Sequence, residues 1–402
     1  MAELKGKRLL LGLTGGIAAY KCAELVREMQ RQGADVQVVM TEAACKFVTP
    51  LTLQALSGKP VFTGMWDAGT TTGMPHIELS RDRDAILIAP ATADFIAKLV
   101  HGVADDLLSS LCLARECPLM IAPAMNRQMW ENPATQRNVR QLRTDGIALF
   151  GPGAGEQACG EIGTGRMIEP LEIIREMAAW FQPKLLSGAR VLVTAGPTFE
   201  PIDPVRGITN RSSGKMGFAV ARAALESGGS VTLISGPTAL EPPPGARVIR
   251  VETARQMYDA VQAQVVDADI FISVAAVADY YVKNRRDQKI KKQGGIPDLV
   301  LAPTDDIIES VTRRKHPPFC VGFAAESENL EELAEAKRRR KKLPLLAANL
   351  AQAAIGSDDN ELVLLDNHGI HRSGRTAKID QARILIRHIA KLFLPRDSAI
   401  KV

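Results

Sequence analysis

The sequence predicts an α/β protein of two domains, each a doubly wound, mainly parallel sheet with helices on both faces. Short apolar runs recur along the chain, and helical patterns and Gly- or Pro-containing turns separate them. The chain has 402 residues, which is too long for one ordinary domain. The same alternation begins again after a Pro- and Ser-Gly-containing segment at 180–188, which we interpret as a linker.

In the first half, an apolar run at 8–13 leads into a glycine turn and then into a helical pattern that extends to Gln32. Further strands are predicted at 36–40, 85–89 and 119–122. Ligands of such sheets bind at the carboxyl ends of the strands, so the residues that follow these runs are the first candidates for a site.

The second half has the same pattern without the same sequence. A strand at 191–194 is followed by a long loop to Ser213 and a helix at 215–226. Later strands are predicted at 231–235, 270–274, 320–323, 345–348 and 362–365, with a last helix near 379–392. We therefore divide the chain into two Rossmann-like domains, residues 1–187 and residues 188–402.

Charge and cysteine content exclude several classes of protein. The formal net charge is +5, and the basic run at 337–342 alone accounts for it, so no broad nucleic-acid-binding face is expected. The six cysteines lack zinc or redox spacing, which favours a reducing, cytoplasmic location. We see no signal-peptide pattern and no apolar run near the roughly 18 residues of a membrane span.

Two loops of the first half suit a phosphate-bearing ligand. Gly15 and Gly16 lie between a strand and a helix N-terminus, where backbone amides attract anions, although a plain tight turn needs the same glycines. Residues 90–94, among them Thr92, add small hydrogen-bonding groups at the same sheet edge. Two such loops together favour a mononucleotide or a flavin.

Three further side chains of this half are candidates for chemistry. His76 lies in a loop, where most histidines are surface or packing residues. Asn126 follows the strand at 119–122, and a polar amide at a strand end indicates function. Glycines surround Cys159, which favours a mobile flap that carries the thiol to a substrate over an inert buried thiol.

Five motifs in order across residues 12–167 resemble the phosphopantothenoylcysteine decarboxylase family of flavoproteins: GGIAAYK, PHIEL, PATAD, APAMNRQMW and ACGEIGTGRM. The resemblance implies a flavodoxin-like domain with FMN at the subunit contacts of a homo-oligomer. The residues that it implies for FMN are Gly15, Gly16, Ile17 and Thr92.

The resemblance also implies roles for the reactive side chains. His76 would assist oxidation and decarboxylation of a cysteine moiety, Asn126 would hold its carboxylate, and Cys159 would return a proton to an enethiol intermediate. Loss of CO2 leaves an electron pair on carbon that must be stabilised. Oxidation of the neighbouring CH2–SH to a thioaldehyde by flavin creates a group that can accept this pair. A neutral amide orients a carboxylate without a strong ion pair, and a thiol suits the returning proton.

The second half carries polar residues at several predicted strand ends. Its long loop before Lys215 favours anion binding, although it lacks the Walker A spacing. Asp279 follows the strand at 270–274, where a carboxylate suits Mg²⁺ or a nucleotide. Lys337 and Lys341 are four residues apart and share one face of the helix predicted after Phe323. We interpret the remaining basic residues of that run as a solvated surface, including Arg338, Arg339 and Lys342.

This half resembles phosphopantothenate–cysteine ligase over most of residues 190–395, through TAGPT, DPVRGITNRSSGKMG, AAVADY, KIKK, GFAAE and AKRRRKK. The family activates the carboxylate of 4′-phosphopantothenate with CTP and Mg²⁺ as an acyl cytidylate, which L-cysteine attacks. The residues implied for CTP are Ala275, Asp279, Lys289, Asp306, Ile307, Phe323, Lys337 and Lys341. Asn210, with Arg206 nearby, would handle the intermediate, and Asp279 would also hold Mg²⁺.

Together the resemblances predict a bifunctional enzyme of coenzyme A biosynthesis that ligates 4′-phosphopantothenate to L-cysteine and decarboxylates the product to 4′-phosphopantetheine. Two alternatives are weighed against it. An NAD(P)-dependent oxidoreductase would need the GxGxxG fingerprint, which is absent. A nucleic-acid-binding protein would need aromatic interleaving or a helix-turn-helix signature around residues 337–342, and neither is present.

Overall fold

The computed structural model describes residues 3–66, 73–158, 160–291, 298–350 and 356–393. These residues belong to two compact units, Met1–Phe181 and Gln182–Val402. Within the described ranges, no helix combines the length and the apolar character needed to cross a membrane.

The first unit contains a five-stranded parallel sheet in the order β2-β1-β3-β4-β5 and a separate antiparallel hairpin of β6 and β7. Its strands are β1 (Arg8–Leu13), β2 (Asp35–Met40), β3 (Ala85–Ala91), β4 (Leu119–Pro123), β5 (Ala148–Leu149), β6 (Gly153–Glu156) and β7 (Ile162–Arg166). Its helices are α1 (Lys21–Arg31), α2 (Pro50–Ser57), α3 (Pro75–Ser80), α4 (Ala93–His101), α5 (Leu107–Ala114), α6 (Arg127–Glu131), α7 (Pro133–Thr144) and α8 (Pro170–Trp180). Short 3₁₀ helices occupy Ile17–Tyr20 and Ala44–Lys46.

The strands of this sheet are buried on both faces, as the continuous apolar runs predict. In β1, Leu9 and Leu11 pack into one hydrophobic cluster, whereas Leu10 packs into the cluster on the other face. Helix α1 covers the first of these faces with Cys22 and Leu25. The predicted strands and the helical pattern before Gln32 are thus confirmed, with a 3₁₀ turn preceding α1.

The second unit contains an eight-stranded sheet in the order β12-β11-β8-β13-β16-β17-β19-β20. The unit's strands are β8 (Arg190–Ala195), β9 (Phe199–Pro201), β10 (Gly207–Thr209), β11 (Ser230–Ser235), β12 (Arg247–Arg250), β13 (Ile270–Ser273), β14 (Tyr280–Val282), β15 (Leu301–Pro303), β16 (Phe319–Glu326), β17 (Leu345–Leu350), β18 (Asp359–Asn360), β19 (Val363–Asp366), β20 (Gly369–Arg372) and β21 (Thr376–Ala377). Its described helices are α9 (Lys215–Glu226), α10 (Ala254–Gln264), α11 (Ile307–Thr312), α12 (Leu330–Arg340) and α13 (Lys378–Phe393).

Most of this sheet is parallel, but its last two strands are not. β17 pairs antiparallel with β19, and β19 pairs antiparallel with β20. Only Asn367 and His368 join β19 to β20, and a parallel pair needs a crossover of a dozen or more residues. The short connection therefore forces a hairpin at this edge.

The predicted long loop after β8 also has structure of its own. Strands β9 and β10 form an antiparallel ribbon within it, with Phe199 opposite Thr209 and Pro201 opposite Gly207. The ribbon is held near the sheet because the Thr198 amide donates to the Ala276 carbonyl oxygen at 3.2 Å and the Phe199 amide donates to the Glu252 carbonyl oxygen at 2.8 Å, in the segments that follow β13 and β12.

Helices α9 and α13 pack on one face of the second sheet through a shared hydrophobic cluster that includes Phe218 and Ile386. A buried ion pair accompanies this contact. The guanidinium of Arg383 donates to both carboxylate oxygens of Glu226, at 2.7 and 3.1 Å, and both side chains are almost fully buried. Arg222 also donates to Glu226 at 2.8 Å, so loss of Arg383 would leave the buried carboxylate with one of its two cationic partners.

We expect Arg383→Met to lower the free energy of unfolding of the second unit by about 1.5–3 kcal/mol, because Glu226 loses two charged hydrogen bonds but keeps the one from Arg222. A matched control is Arg255→Met, which removes an exposed pair with Asp259 at 3.1 Å and is expected to cost at most about 1 kcal/mol. Urea unfolding, monitored with a spectroscopic probe in the second unit, measures the free energy of unfolding of each variant. Equal losses in the two variants would contradict the argument.

Candidate active sites

A cavity of about 610 Å³ opens where β1, β3 and β4 end. Five of the residues predicted for the first half line it together: Gly15, Gly16, Ile17, Thr92 and Asn126. The cavity therefore lies at the carboxyl edge of a parallel sheet, where ligands of such sheets bind.

The two strand-end loops at this edge are tied to each other. The Thr14 hydroxyl donates to the Pro90 carbonyl oxygen at 2.6 Å and accepts from the Thr92 amide at 3.1 Å. The Thr92 hydroxyl in turn caps α4 by accepting from the Phe95 amide at 3.2 Å. At Gly15 there is no room for a side chain, since a Cβ atom would lie 2.4 Å from the Cβ of Ala43.

The Asn126 amide is held in one orientation. As the N-cap of α6, its Oδ1 accepts from the Met129 amide at 2.9 Å, and its Nδ2 donates to the Gln128 Oε1 at 3.0 Å. The neighbouring Met125 amide donates to the Gly165 carbonyl oxygen at 2.9 Å, which joins this loop to the hairpin of β6 and β7. The hairpin thus forms one wall of the cavity.

Sequence reasoning gave no role to several polar residues that also line this cavity, among them Lys21, Gln157 and Arg166. Lys21 is buried and forms an ion pair with Glu169 at 2.7 Å, and the hydrogen bond from Lys21 holds the pKa of Glu169 below its usual value. Lys21 ends the GGIAAYK motif and Arg166 lies in the ACGEIGTGRM motif, so the motifs themselves were the available signal.

The other two catalytic candidates of the first half lie elsewhere. His76 belongs to the short helix α3, not to a loop as predicted, and does not line the cavity. Its Nδ1 is buried, and among the described residues it has no hydrogen-bond partner. Cys159 lies outside the described residues; in the sequence it falls between β6 and β7.

In the second unit, a groove of about 230 Å³ gathers most of the residues predicted for CTP. Its lining includes Ala275, Asp279, Asp306, Ile307, Phe323, Lys337 and Lys341. Lys289 is exposed and does not line this groove. The groove thus combines the turn after β13, the start of α11 and one face of α12.

Two lysines and one carboxylate dominate the charge in this groove. The ammonium of Lys341 forms an ion pair with Asp306, whose carboxylate also caps α11 by accepting from the Glu309 amide at 3.0 Å. Burial alone would raise the pKa of Asp306, but these hydrogen bonds lower it below its usual value. The ammonium of Lys337 donates to the Phe323 carbonyl oxygen at 3.4 Å, and burial lowers the pKa of Lys337.

The remaining residues of the basic run at 337–342 differ in their exposure to solvent. The prediction that Arg338 faces solvent is wrong, because it is only 8% exposed. Its guanidinium binds Glu335, at 2.7 and 2.9 Å, and Asn367 Oδ1 at 2.8 Å. Arg339 and Lys342 are exposed as predicted.

Asn210 and Arg206 are each held by a hydrogen bond to a carbonyl oxygen outside their own loop. Asn210 Nδ2 donates to the Ala276 carbonyl oxygen at 2.9 Å, next to Ala275 in the groove lining. Arg206 donates from Nε to Asp203 Oδ2 at 3.0 Å and from Nη2 to the Ile290 carbonyl oxygen at 2.7 Å.

Asp203 is the centre of this loop, and sequence reasoning gave it no role. Its carboxylate is buried and accepts from the amides of Val205, Arg206 and Ile290, at 2.8, 2.9 and 3.1 Å. Burial opposes ionisation, but the Arg206 side chain and these amides hold the pKa of Asp203 well below its usual range. The signal was Asp203 as the first residue of DPVRG, a turn in which an aspartate bonds the following amides.

Both halves of the chain match known families. Residues 1–182 match the family model described as Flavoprotein, and residues 186–393 match the model for the DNA/pantothenate metabolism flavoprotein C-terminal domain. Among solved structures, the C-terminal domain of the coenzyme A biosynthesis bifunctional protein CoaBC is 37% identical, with a TM-score of 0.46, over 52% of this chain and 97% of that chain.

Curated relatives match nearly the whole chain, and each is named coenzyme A biosynthesis bifunctional protein CoaBC. The relative from Vibrio vulnificus is 49% identical over 92% of this chain and 94% of its own length. Those from Escherichia coli and Bacillus subtilis are 48% and 41% identical, over 91% and 97% of this chain and 92% and 98% of their own lengths. The chain therefore belongs to the family of coenzyme A biosynthesis bifunctional proteins, with a flavoprotein domain in its first half.

Proposed function

We propose that residues 188–402 join 4′-phosphopantothenate to L-cysteine with CTP and Mg²⁺, and that residues 1–187 decarboxylate the product to 4′-phosphopantetheine with FMN. The observation that carries this proposal is the separation of two sites, one at a strand-end edge of each unit. One holds the residues implied for FMN, and the other holds most of those implied for CTP. Family membership supports the pairing of the two activities in one chain.

The first cavity fits a flavin mononucleotide. Its volume of about 610 Å³ suits a ligand of this size, and the crowded Gly15 leaves the backbone as the surface offered to a phosphate. Bound FMN supplies hydride acceptance and return. Gly16, Ile17 and Thr92 complete the binding surface, and the fixed amide of Asn126 orients the substrate carboxylate.

The position of His76 supports the homo-oligomer. The His76 side chain is partly exposed and does not line the cavity of its own chain, so we assign it to the FMN site of a neighbouring copy. Ile17 and Tyr20, which line the cavity, are 59% and 61% exposed, as expected for apolar side chains that a second subunit covers. Cys159 then supplies the proton that completes the reduction of the enethiol.

In the ligase half, a carboxylate oxygen of phosphopantothenate attacks the α-phosphorus of CTP, and pyrophosphate leaves as the acyl cytidylate forms. The cysteine amine then attacks the acyl carbon, and CMP and a proton are released. Lys337 and Lys341 offset the charge of the triphosphate and of the departing pyrophosphate. Asp279 lines the groove with an exposed carboxylate, which would hold Mg²⁺.

Asn210 and Arg206 serve the intermediate on this proposal. Asn210 is anchored to the strand-end turn at Ala276, where it orients the acyl cytidylate. Arg206, held by Asp203 at 3.0 Å, handles the intermediate together with Asn210, and its hydrogen bond to the Ile290 carbonyl oxygen positions the segment that carries Lys289. Ala275, Asp306, Ile307 and Phe323 form the remaining contacts with the nucleotide.

The full chain supplied with phosphopantothenate, cysteine, CTP and Mg²⁺ tests the proposal when pyrophosphate and CO2 are followed separately. We expect Cys159→Ser to release pyrophosphate at the wild-type rate but to form no phosphopantetheine, because the returning proton is lost. Cys117→Ser, outside both sites, is the control and retains both activities. Phosphopantetheine formation by Cys159→Ser at the wild-type rate would refute the role of this thiol.

Gly15→Ala is expected to abolish flavin binding, because the new Cβ would lie 2.4 Å from Ala43 and displace the phosphate-binding loop. The ratio of flavin absorbance to protein in the purified chain measures this. Gly374→Ala is the control, since its Cβ would meet no atom within 4 Å. A normal flavin content in Gly15→Ala would argue against this loop as the phosphate site.

Lys341→Met is expected to lower kcat/KM for CTP by about 10²–10³-fold, the usual effect of removing one group that stabilises developing charge. The neighbouring Lys342→Met is the control, because Lys342 is exposed and outside the groove. Pyrophosphate release with CTP varied measures both variants, while decarboxylation of added phosphopantothenoylcysteine remains at the wild-type rate. A similar loss in both variants would remove the basis for a specific contact.

A further inference from the structure

A cluster of two histidines and one aspartate lies outside both candidate sites. His388 Nε2 is 2.7 Å and His371 Nε2 is 3.3 Å from the same carboxylate oxygen, Oδ2 of Asp366. One ligand atom from each of the three residues lies within 4.8 Å of the other two, and the imidazole centroids are 4.7 Å apart. Three potential donor atoms thus converge on one point.

The fold brings these residues together from three elements. Asp366 ends β19, and His371 lies on β20 opposite Leu364. Because Asp366 and Leu364 are two residues apart on one strand, Asp366 and His371 are diagonal neighbours on one face of the hairpin. His388 reaches the same point from α13, which packs with Leu364 in one hydrophobic cluster.

The cluster and the proposed CTP groove lie on opposite faces of the sheet. Asp366 pairs in register with Leu345, which packs into the cluster shared with α13. The next residue, Leu346, packs into the cluster of the other face and lines the groove. A ligand of Asp366 would therefore not share a site with the nucleotide.

The donor set suits a transition metal rather than Mg²⁺. Imidazole nitrogens with a carboxylate favour zinc and neighbouring ions, whereas Mg²⁺ and Ca²⁺ prefer oxygen ligands. In a tetrahedral site with metal–ligand distances of about 2.0–2.1 Å, two ligand atoms lie about 3.3 Å apart. The spacing of His371 from Asp366 already has this value, and that of His388 needs an increase of only about half an ångström.

We propose that Asp366 Oδ2, His371 Nε2 and His388 Nε2 bind a divalent transition metal ion of the zinc class, with water in the fourth position. The Asp366 side chain is 1% exposed and that of His388 is 17% exposed, while the 44% exposure of His371 leaves an entry path. The ion would link the edge strand β20 to α13 and so stabilise the end of the sheet.

The surroundings of Asp366 orient it for this role. Its second oxygen, Oδ1, accepts from the His368 amide at 2.6 Å, which fixes the carboxylate as outer-shell partners do in metal sites. Arg338 of α12 donates to Asn367 in the turn after Asp366 and is paired with Glu335, not with Asp366. The carboxylate therefore keeps one oxygen for the ion.

Cobalt titration of the full, untagged chain tests the proposal after chelator treatment and in the absence of nucleotide. We expect one equivalent of Co²⁺ to give the visible absorption of a tetrahedral complex, beyond the flavin bands, and equimolar Zn²⁺ to remove it. His371→Gln and His388→Gln should each weaken Co²⁺ binding by at least about tenfold. The control is His316→Gln, which removes an exposed imidazole outside the cluster and keeps the wild-type affinity.

A second readout is thermal unfolding, because an ion that binds only the folded state raises Tm. Zn²⁺ should raise the Tm of the wild-type chain and of His316→Gln, but not that of the variant with both His371→Gln and His388→Gln. The proposal fails if no tetrahedral band forms, if excess Mg²⁺ displaces the cobalt, or if the double variant binds Co²⁺ as tightly as the wild-type chain.

Discussion

Helices cover each sheet of this protein on both faces, and consecutive residues of one strand therefore enter different hydrophobic clusters. In β8, Val191 and Val193 pack on one side and Leu192 packs on the other. Such a strand has no face left for polar side chains, so hydrogen-bonding and charged groups collect where the strands end. Both proposed active sites follow from this constraint, although the two units share no sequence pattern beyond it.

The same constraint explains which parts of the fold the sequence predicts well. Helix α9 has the predicted bounds, because an apolar stripe begins directly after a Gly-Lys step and ends before a Ser-Gly-Gly turn. The antiparallel edge at β19 and β20 was not predicted, because the apolar run before Asp366 indicates a strand but not its direction relative to its neighbours. Direction there depends on the length of the connection, which sequence periodicity does not measure.

The positions of the two sites were more predictable than the contacts that their residues make. The motifs gave the residues that line the cavity and the groove, but not that His76 lies apart from the cavity or that Asp203 binds Arg206. The basic run at 337–342 shows why. Lys341 pairs with Asp306, whereas Arg338 binds Glu335 and helps to lower the pKa of that carboxylate to about 2. Partners distant in sequence take part in both cases, Asp306 for Lys341 and Asn367 for Arg338, and the local pattern of the run does not show them.

The contacts of Asp203 order its loop before any substrate binds. Because its buried carboxylate already joins the turn at Val205 to the chain at Ile290, much of the loop's conformational freedom is lost when the protein folds. On the proposed function, a substrate bound beside Asn210 would meet a loop that is already ordered, so less of its binding energy would be needed to order the loop. On this view Asp203 acts through preorganisation, and its contribution falls on affinity for the substrate without any contact with it.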